Sequence, residues 1–378
     1  MSGKTKILYF LNTTTRAGVE EHLLSLLRGL DRSSFTAVLV CPGQLLDQFG
    51  ADIPGDVRVY GLCLADWKNL AAIREFIAIL RQERPDIVHS HMFSSSMFGS
   101  TLAKASIRAA TVETCHGPER WRTSWIKRSY VADTFFSKFV DRFIAVSAAA
   151  GEHLAGAKRV APDKITVIRN GRELPSYQSP AGAEFRLPDA GGRLRIGVIG
   201  RLDAQKGHKY LIEAAPAIMA GTDAVILLAG DGALKAELES QAKALGVADR
   251  VVFLGYQKQI PSILRQLDVV VLPSLYEGLP LVAIEASAAG VPIVATAVDG
   301  TKEVVLHEKT GLLVPPADPG ALAAAVLRLC GDGALRTRLA GAARERAEKE
   351  FSIDKQMNET EAVYSGLCAR SEKKVSGL

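Results

Sequence analysis

The chain has 378 residues, 48% hydrophobic and 23% charged, with a net charge of +5, the profile of a soluble globular protein of two domains that permits an anionic partner without demanding nucleic acid. No apolar stretch is long enough for a membrane-spanning helix, and the run Ile7-Leu8-Tyr9-Phe10-Leu11 is too short for the core of a signal peptide. Cys41, Cys63, Cys115, Cys330 and Cys368 are odd in number and lack C-x-x-C spacing, which fits reduced thiols and a cytoplasmic location.

Strand and helix signals alternate from the start. Residues 6–12, 35–41, 86–91, 110–115 and 142–147 read as strands, while apolar residues recur at helical spacing over 19–30, 70–82 and 95–106. Around 171–193 the pattern breaks into Pro, Gly, Ser and charged residues, the composition of an interdomain linker. It resumes with strands at 194–200, 224–230, 250–254, 268–272 and 292–296 and helices at 208–220 and 234–245; from Leu322 the chain is mainly helical and charged, with a polar tail from Arg370. The predicted fold is α/β, with two Rossmann-like doubly wound domains at 1–170 and 194–351. Ligands of such sheets sit at the carboxyl ends of strands, so the halves are expected to face across a cleft.

The segment after the 268–272 strand is the most telling. In Tyr276-Glu277-Gly278-Leu279-Pro280-Leu281-Val282-Ala283-Ile284-Glu285, Pro280 suits the first turn of a helix. Glu277 then lies in the turn before that helix and Glu285 one to two turns inside it. A helix start after a parallel strand is a seat for phosphate, and carboxylates beside it accept hydrogen bonds from sugar hydroxyls. The loop Gly200-Arg201-Leu202-Asp203-Ala204-Gln205-Lys206-Gly207 follows another strand. Arg201 can grip two oxygens of a diphosphate and Lys206 adds a compact charge, stabilising the charge that grows as a nucleoside diphosphate departs. Two solvated loop charges are the competing description; the position after a strand and the acidic turn favour the phosphate role.

In the first half, Arg16-Ala17-Gly18-Val19 enters a helix, and Gly18 lets a ligand approach the backbone. No G-x-G-x-x-G follows, which argues against a dinucleotide dehydrogenase. Of the histidines that end strands, His89 reads as a satisfied buried side chain and His91 as either buried or functional. His116, before Gly117, is the one expected to reach a ligand. No compact His/Cys/carboxylate cluster accompanies them in sequence, so no metal is expected.

Gly18, His116-Gly117, Arg201-Leu202 with Lys206-Gly207, Gly230-Asp231-Gly232, and Glu277 with Glu285 together resemble the retaining GT-B glycosyltransferases of glycosyltransferase family four, in order and over nearly the whole chain. The resemblance implies catalytic roles for His116, Arg201, Lys206 and Glu277. It implies donor contacts from Gly18, Gly200, Arg201, Lys206, Gly230, Glu277, Gly278, Leu279, Pro280, Leu281 and Glu285, with Arg201 and Lys206 on the diphosphate, Glu277 on the sugar and Glu285 on the ribose. Also implied are a nucleoside-diphosphate sugar as co-substrate, most commonly a uridine-diphosphate sugar, no cofactor, and no metal, in keeping with the absence of D-x-D. A last helix, 352–370, would return to the first domain, and domain closure would bring His116 toward the cation loop. Two departures stand out: Ala17-Gly18 replaces the frequent glycine pair, and Leu279 stands where bulkier residues are common.

The stretch 119–142 interleaves Trp121, Trp125, Tyr130, Phe135, Phe136 and Phe139 with Arg and Lys. Such a mixture reads first as an amphipathic helix with core aromatics and a solvated basic face; Trp121 and Trp125, in a loop, are what points to an anionic membrane surface. The expected activity is hexosyl transfer to a glycan or lipid-linked acceptor in lipopolysaccharide, capsule or other surface-glycan synthesis, by a cytoplasmic protein peripheral on the inner membrane face. The rivals are a nucleotide-sugar epimerase of GT-B architecture and a non-catalytic two-domain sugar-binding protein.

Overall fold

The computed structural model describes residues 4–64, 66–117, 130–179 and 185–376, with 370–376 as backbone. The chain divides into two compact units, Met1–Asn170 with Ile353–Leu378, and Gly171–Ser352.

The first unit holds a parallel sheet of seven strands, β1 (Thr5–Phe10), β2 (Phe35–Cys41), β3 (Arg58–Gly61), β4 (Ile87–His91), β5 (Ala110–Cys115), β6 (Arg142–Ala145) and β7 (Ile165–Val167), in the order β3-β2-β1-β4-β5-β6-β7. Successive side chains of a strand point to opposite faces. Leu8 and Phe10 accordingly pack with Phe76 and Phe98 on one face, while Ile7 and Tyr9 pack with Leu23 and Leu27 on the other. Because helices cover both faces, the strand must be apolar throughout. The last helix, Ile353–Ser376, contributes Met357, Tyr364 and Leu367 to the Ile7/Tyr9 side.

The second unit repeats the plan with six parallel strands, β8 (Leu194–Ile199), β9 (Ala224–Ala229), β10 (Val251–Gly255), β11 (Val269–Leu272), β12 (Ile293–Thr296) and β13 (Leu312–Val314), ordered β10-β9-β8-β11-β12-β13. Each sheet changes winding direction once, between β1 and β4 in one unit and between β8 and β11 in the other. A crevice opens at the carboxyl ends of the strands at such a switch point, so the loops after these strands are where a ligand belongs.

Three strands were not expected from sequence: β3, β7 and β13. All three are edge strands of three or four residues, too short to show a pattern. The helix expected at 95–106 spans Met92–Ser106, because Ser94, Ser95 and Ser96 mask the apolar spacing of its first turn. Within 171–193 the chain forms a short helix, Pro175–Gln178, and Arg172 bridges to Ser352, so this stretch is built into the second unit. Among the described residues no helix is long and apolar enough to cross a membrane.

Candidate active site

The loops after β8 and β11 are laced together. The Leu275 N–H donates to the Gln205 carbonyl at 2.8 Å, and Gln205 Nε2 donates to the Tyr276 carbonyl at 3.1 Å. Lys206 Nζ then reaches Glu277 Oε1 at 2.6 Å, and Ser274 Oγ donates to the same oxygen at 2.7 Å. Glu277 is buried, whereas Lys206 keeps part of its side chain in solvent. A cation and a carboxylate 71 positions apart in sequence thus share one site at the switch point. Arg201 lies on the same loop, exposed, with its guanidinium on Asp203 at 3.0 Å and Gln205 at 3.3 Å.

Pro280 caps the helix Leu281–Ala288 rather than opening its first turn, and Glu285 falls on the fifth residue. Glu285 is buried and paired with Arg172, whose Nε donates to Oε1 at 2.7 Å and whose NH2 meets the same oxygen. Sequence reasoning missed Arg172, which sits 113 positions away in the presumed linker. It also missed Asp299 and Gly300. The Asp299 carboxylate accepts the Glu277 N–H at 3.3 Å. A Cβ on Gly300 would lie 1.7 Å from the Gly278 carbonyl oxygen, so only glycine lets this loop back the Glu277 turn. Gly230 plays the same part for Gly200, whose carbonyl oxygen would be 1.8 Å from an added Cβ. Leu279 is buried. His208, at the head of the helix after Lys206, is buried with neither ring nitrogen bonded among the described residues. Burial, with the Lys206 charge beside it, pushes it down to about 4.

In the first unit Gly18 opens the helix Gly18–Gly29, and among the described residues no atom beyond its chain neighbours and its own helix backbone lies within 4 Å of where a Cβ would be. The buried Glu20 carboxylate turns back to accept the Ala17 N–H at 2.8 Å and the Thr13 hydroxyl at 2.5 Å. A carboxylate therefore already sits at this helix start, which suits a hydroxyl-bearing ligand better than a phosphate.

The expectation that no compact cluster accompanies the histidines is corrected. His22, His91 and His116 converge, with one ring nitrogen of each within 4.8 Å of the others. His22 was missed because a histidine in the second turn of a helix carries no local signature. His91 is fully buried and its Nδ1 is 3.3 Å from His116 Nε2; His116 is partly exposed. His89 is satisfied as expected, with Nδ1 on the Tyr364 hydroxyl at 2.6 Å and Nε2 on Thr114 Oγ1 at 2.7 Å. Burial holds His91 and His116 well below the usual histidine value, so both are neutral near pH 7.

Trp121, Trp125 and the rest of 118–129 lie outside the described residues. Beyond them, Phe135 is 54% exposed on the helix Val131–Phe136, with Lys138 Nζ 6.0 Å from its ring centroid. Phe136 is half-buried and stacks on Trp67.

Comparison with known proteins bears on what such a site does. A family model described as glycosyl transferases group 1 matches residues 184–346, and one described as glycosyltransferase family 4 matches residues 16–174. The chain is 30% identical over 313 residues to a D-inositol 3-phosphate glycosyltransferase of Salinispora arenicola, covering 75% of this chain and 69% of that one. It is 28% identical over 380 residues to the UDP-Gal:alpha-D-GlcNAc-diphosphoundecaprenol alpha-1,3-galactosyltransferase of Escherichia coli, covering 96% and 97%. The crystal structure of Anabaena Alr3699/HepE in complex with UDP-glucose superposes with a TM-score of 0.82 at 21% identity, over 95% and 99% of the two chains. Two Rossmann-like parallel-sheet units and these likenesses define a glycosyltransferase of GT-B architecture. Within that class the chain belongs to glycosyltransferase family 4, the glycosyl transferases of group 1.

Proposed function

We propose that this enzyme is a retaining, metal-independent glycosyltransferase that moves a sugar from a uridine-diphosphate sugar to an acceptor hydroxyl in cell-surface glycan synthesis. The observation that carries this reading is the Lys206–Glu277 pair at the switch point of the second unit. Both contacts on Glu277 fall on Oε1, which leaves Oε2 to accept a hydroxyl of the donor sugar. Lys206 and Arg201 face the diphosphate, as fixed cations that need no metal partner, and Glu285 serves the ribose. As the bond from the anomeric carbon to the diphosphate breaks, the leaving oxygen gains charge that these cations stabilise more in the transition state than in the ground state. The acceptor oxygen bonds to the anomeric carbon on the same face, and its proton passes to the departing diphosphate. His116, a neutral group, is the first unit's contribution to the transfer in this reading.

Support for the donor comes from the HepE complex with UDP-glucose and from the UDP-Gal named for the Escherichia coli relative. The diphosphoundecaprenol in that relative's name favours a lipid-linked glycan acceptor, and the exposed Phe135 beside Lys138 suits an anionic membrane face. The location consistent with this is cytoplasmic, peripheral on the inner membrane face. An epimerase would form product without acceptor, and a binding protein would take free sugar without nucleotide.

Thermal-shift screening against nucleoside diphosphates and their sugars, with EDTA present, tests the reading. Saturating uridine diphosphate is expected to raise Tm by several degrees, since about 100-fold excess over Kd adds roughly 2.7 kcal/mol. No shift with any nucleoside diphosphate would contradict it.

A further inference from the structure

The two histidines at the ends of β4 and β5 are bonded to each other, and the direction of that bond can be deduced. Each neutral imidazole carries one proton. His91 Nδ1 lies 3.3 Å from His116 Nε2, so one of these nitrogens donates and the other accepts. The other nitrogen of His91, Nε2, is buried and meets no hydrogen-bond partner among the described residues. If His91 carried its proton there, an N–H donor would be stranded away from water with its desolvation uncompensated. With the proton on Nδ1, the N–H is used on His116, and only a lone pair is left unmatched, which proteins tolerate better. His91 is therefore the donor. His116 Nε2 accepts, and the proton of His116 must sit on Nδ1.

The surroundings hold this arrangement. The His91 ring stacks on His89 with centroids 4.6 Å apart and planes at 23°. His89 is pinned at both nitrogens by Tyr364 and Thr114, and Tyr364 donates to the Tyr9 hydroxyl at 3.2 Å. On the other side, the His22 ring meets His116 edge-on with centroids 4.8 Å apart. His91 is thus held between the pinned ring of His89 and the rings of His22 and His116, and of these four histidines His116 alone keeps some exposure.

We propose that His91 is a positioning residue for glycosyl transfer: it donates Nδ1–H to His116 Nε2 and so holds His116 as the Nδ1–H tautomer, an N–H donor that cannot serve as the base at Nε2. This rests on the role in transfer proposed for His116 above. It makes His116 a hydrogen-bond partner for a substrate oxygen, and leaves the acceptor's proton to the departing diphosphate.

Nitrogen-15 NMR of the full chain labelled at histidine reads the tautomer directly, with His116 assigned through the His116→Gln variant. The wild type is expected to show His116 protonated at Nδ1. In His91→Phe the Nε2–H form should become populated, and kcat should fall roughly 10- to 100-fold with the donor KM little changed. His91→Asn, whose amide N–H sits near the position of Nδ1, should restore the tautomer and much of the rate. An Nε2–H tautomer in the wild type would overturn the proposal, whether or not His91→Phe folds. So would a zinc ion bound stoichiometrically in the purified protein and lost in His22→Ala, because His116 Nε2 would then be a metal ligand. If the tautomer shifts in His91→Phe but kcat does not, the positioning role fails together with the proposed role of His116, while the donor site at Lys206 stands.

Discussion

A Lys206→Ala variant is expected to fold and to lose about 100- to 1,000-fold in kcat/KM, the loss typical of removing one group aimed at developing negative charge. The ammonium sits 2.6 Å from Glu277 on a loop held to the Glu277 turn by one backbone bond and by the Gln205 side chain, so it is expected to need no rearrangement when charge appears. Truncation removes that charge and also frees Glu277, which keeps Ser274 as a partner. Lysine here is partly solvated, so the cost to folding is small beside the cost to turnover. Glu277→Ala should be comparably damaging. Because the two act as one unit, the double variant should lose far less than the product of the single losses. Steady-state kinetics with circular dichroism as the folding control checks this; turnover within a few-fold of wild type in both single variants would remove the basis for the assignment.

Asp133→Ala is expected to destabilise the protein by about 3–5 kcal/mol. Asp133 and Lys158 form an ion pair at 2.9 Å with side chains 2% and 3% exposed, and Lys158 Nζ also lies 5.2 Å from the centroid of the Phe93 ring. Removing the carboxylate takes from a buried ammonium a partner that offsets part of its desolvation. The pair joins the helix Val131–Phe136, which carries the exposed Val131 and Phe135, to the end of the helix Ala148–Gly156; Thr134 Oγ1 adds a bond to the Lys158 carbonyl at 3.0 Å. Replacing both partners, Asp133→Ala with Lys158→Met, should recover most of the loss, since a buried pair is worth little more than apolar packing of similar volume. Urea denaturation of the three variants measures it. A loss under about 1 kcal/mol for Asp133→Ala would mean that the ammonium finds other solvation.

The alternation of buried strands and amphipathic helices was legible because runs such as Ile7–Leu11 and Val269–Leu272 are apolar on both faces of a covered sheet. The edge strands were not, since Arg58–Gly61 is largely exposed and needs no apolar run. Arg201, Lys206 and Glu277 could be singled out as candidates because each is a charged residue in a loop that follows a strand. Their meeting could be anticipated from the doubly wound order, which puts β8 beside β11 at the switch point. Arg172, Asp299 and the orphaned ring of His208 had no such signal. Their roles arise from contacts made far along the chain, and nothing local distinguishes Arg172 from a solvated linker charge. The histidine cluster falls between. β4 and β5 are neighbours, so His91 and His116 ending them could have been paired from topology, whereas His22 joins only because the helix after β1 lies over the same strand ends.

The site at Lys206 and Glu277 is tested most directly by titrating uridine diphosphate into the protein by calorimetry, with EDTA present, in wild type and in Lys206→Ala. Binding in the wild type without metal, weakened at least about tenfold in the variant, or about 1.4 kcal/mol, is the predicted result. Equal affinity in the two proteins, or binding that appears only when a divalent cation is added, would contradict it.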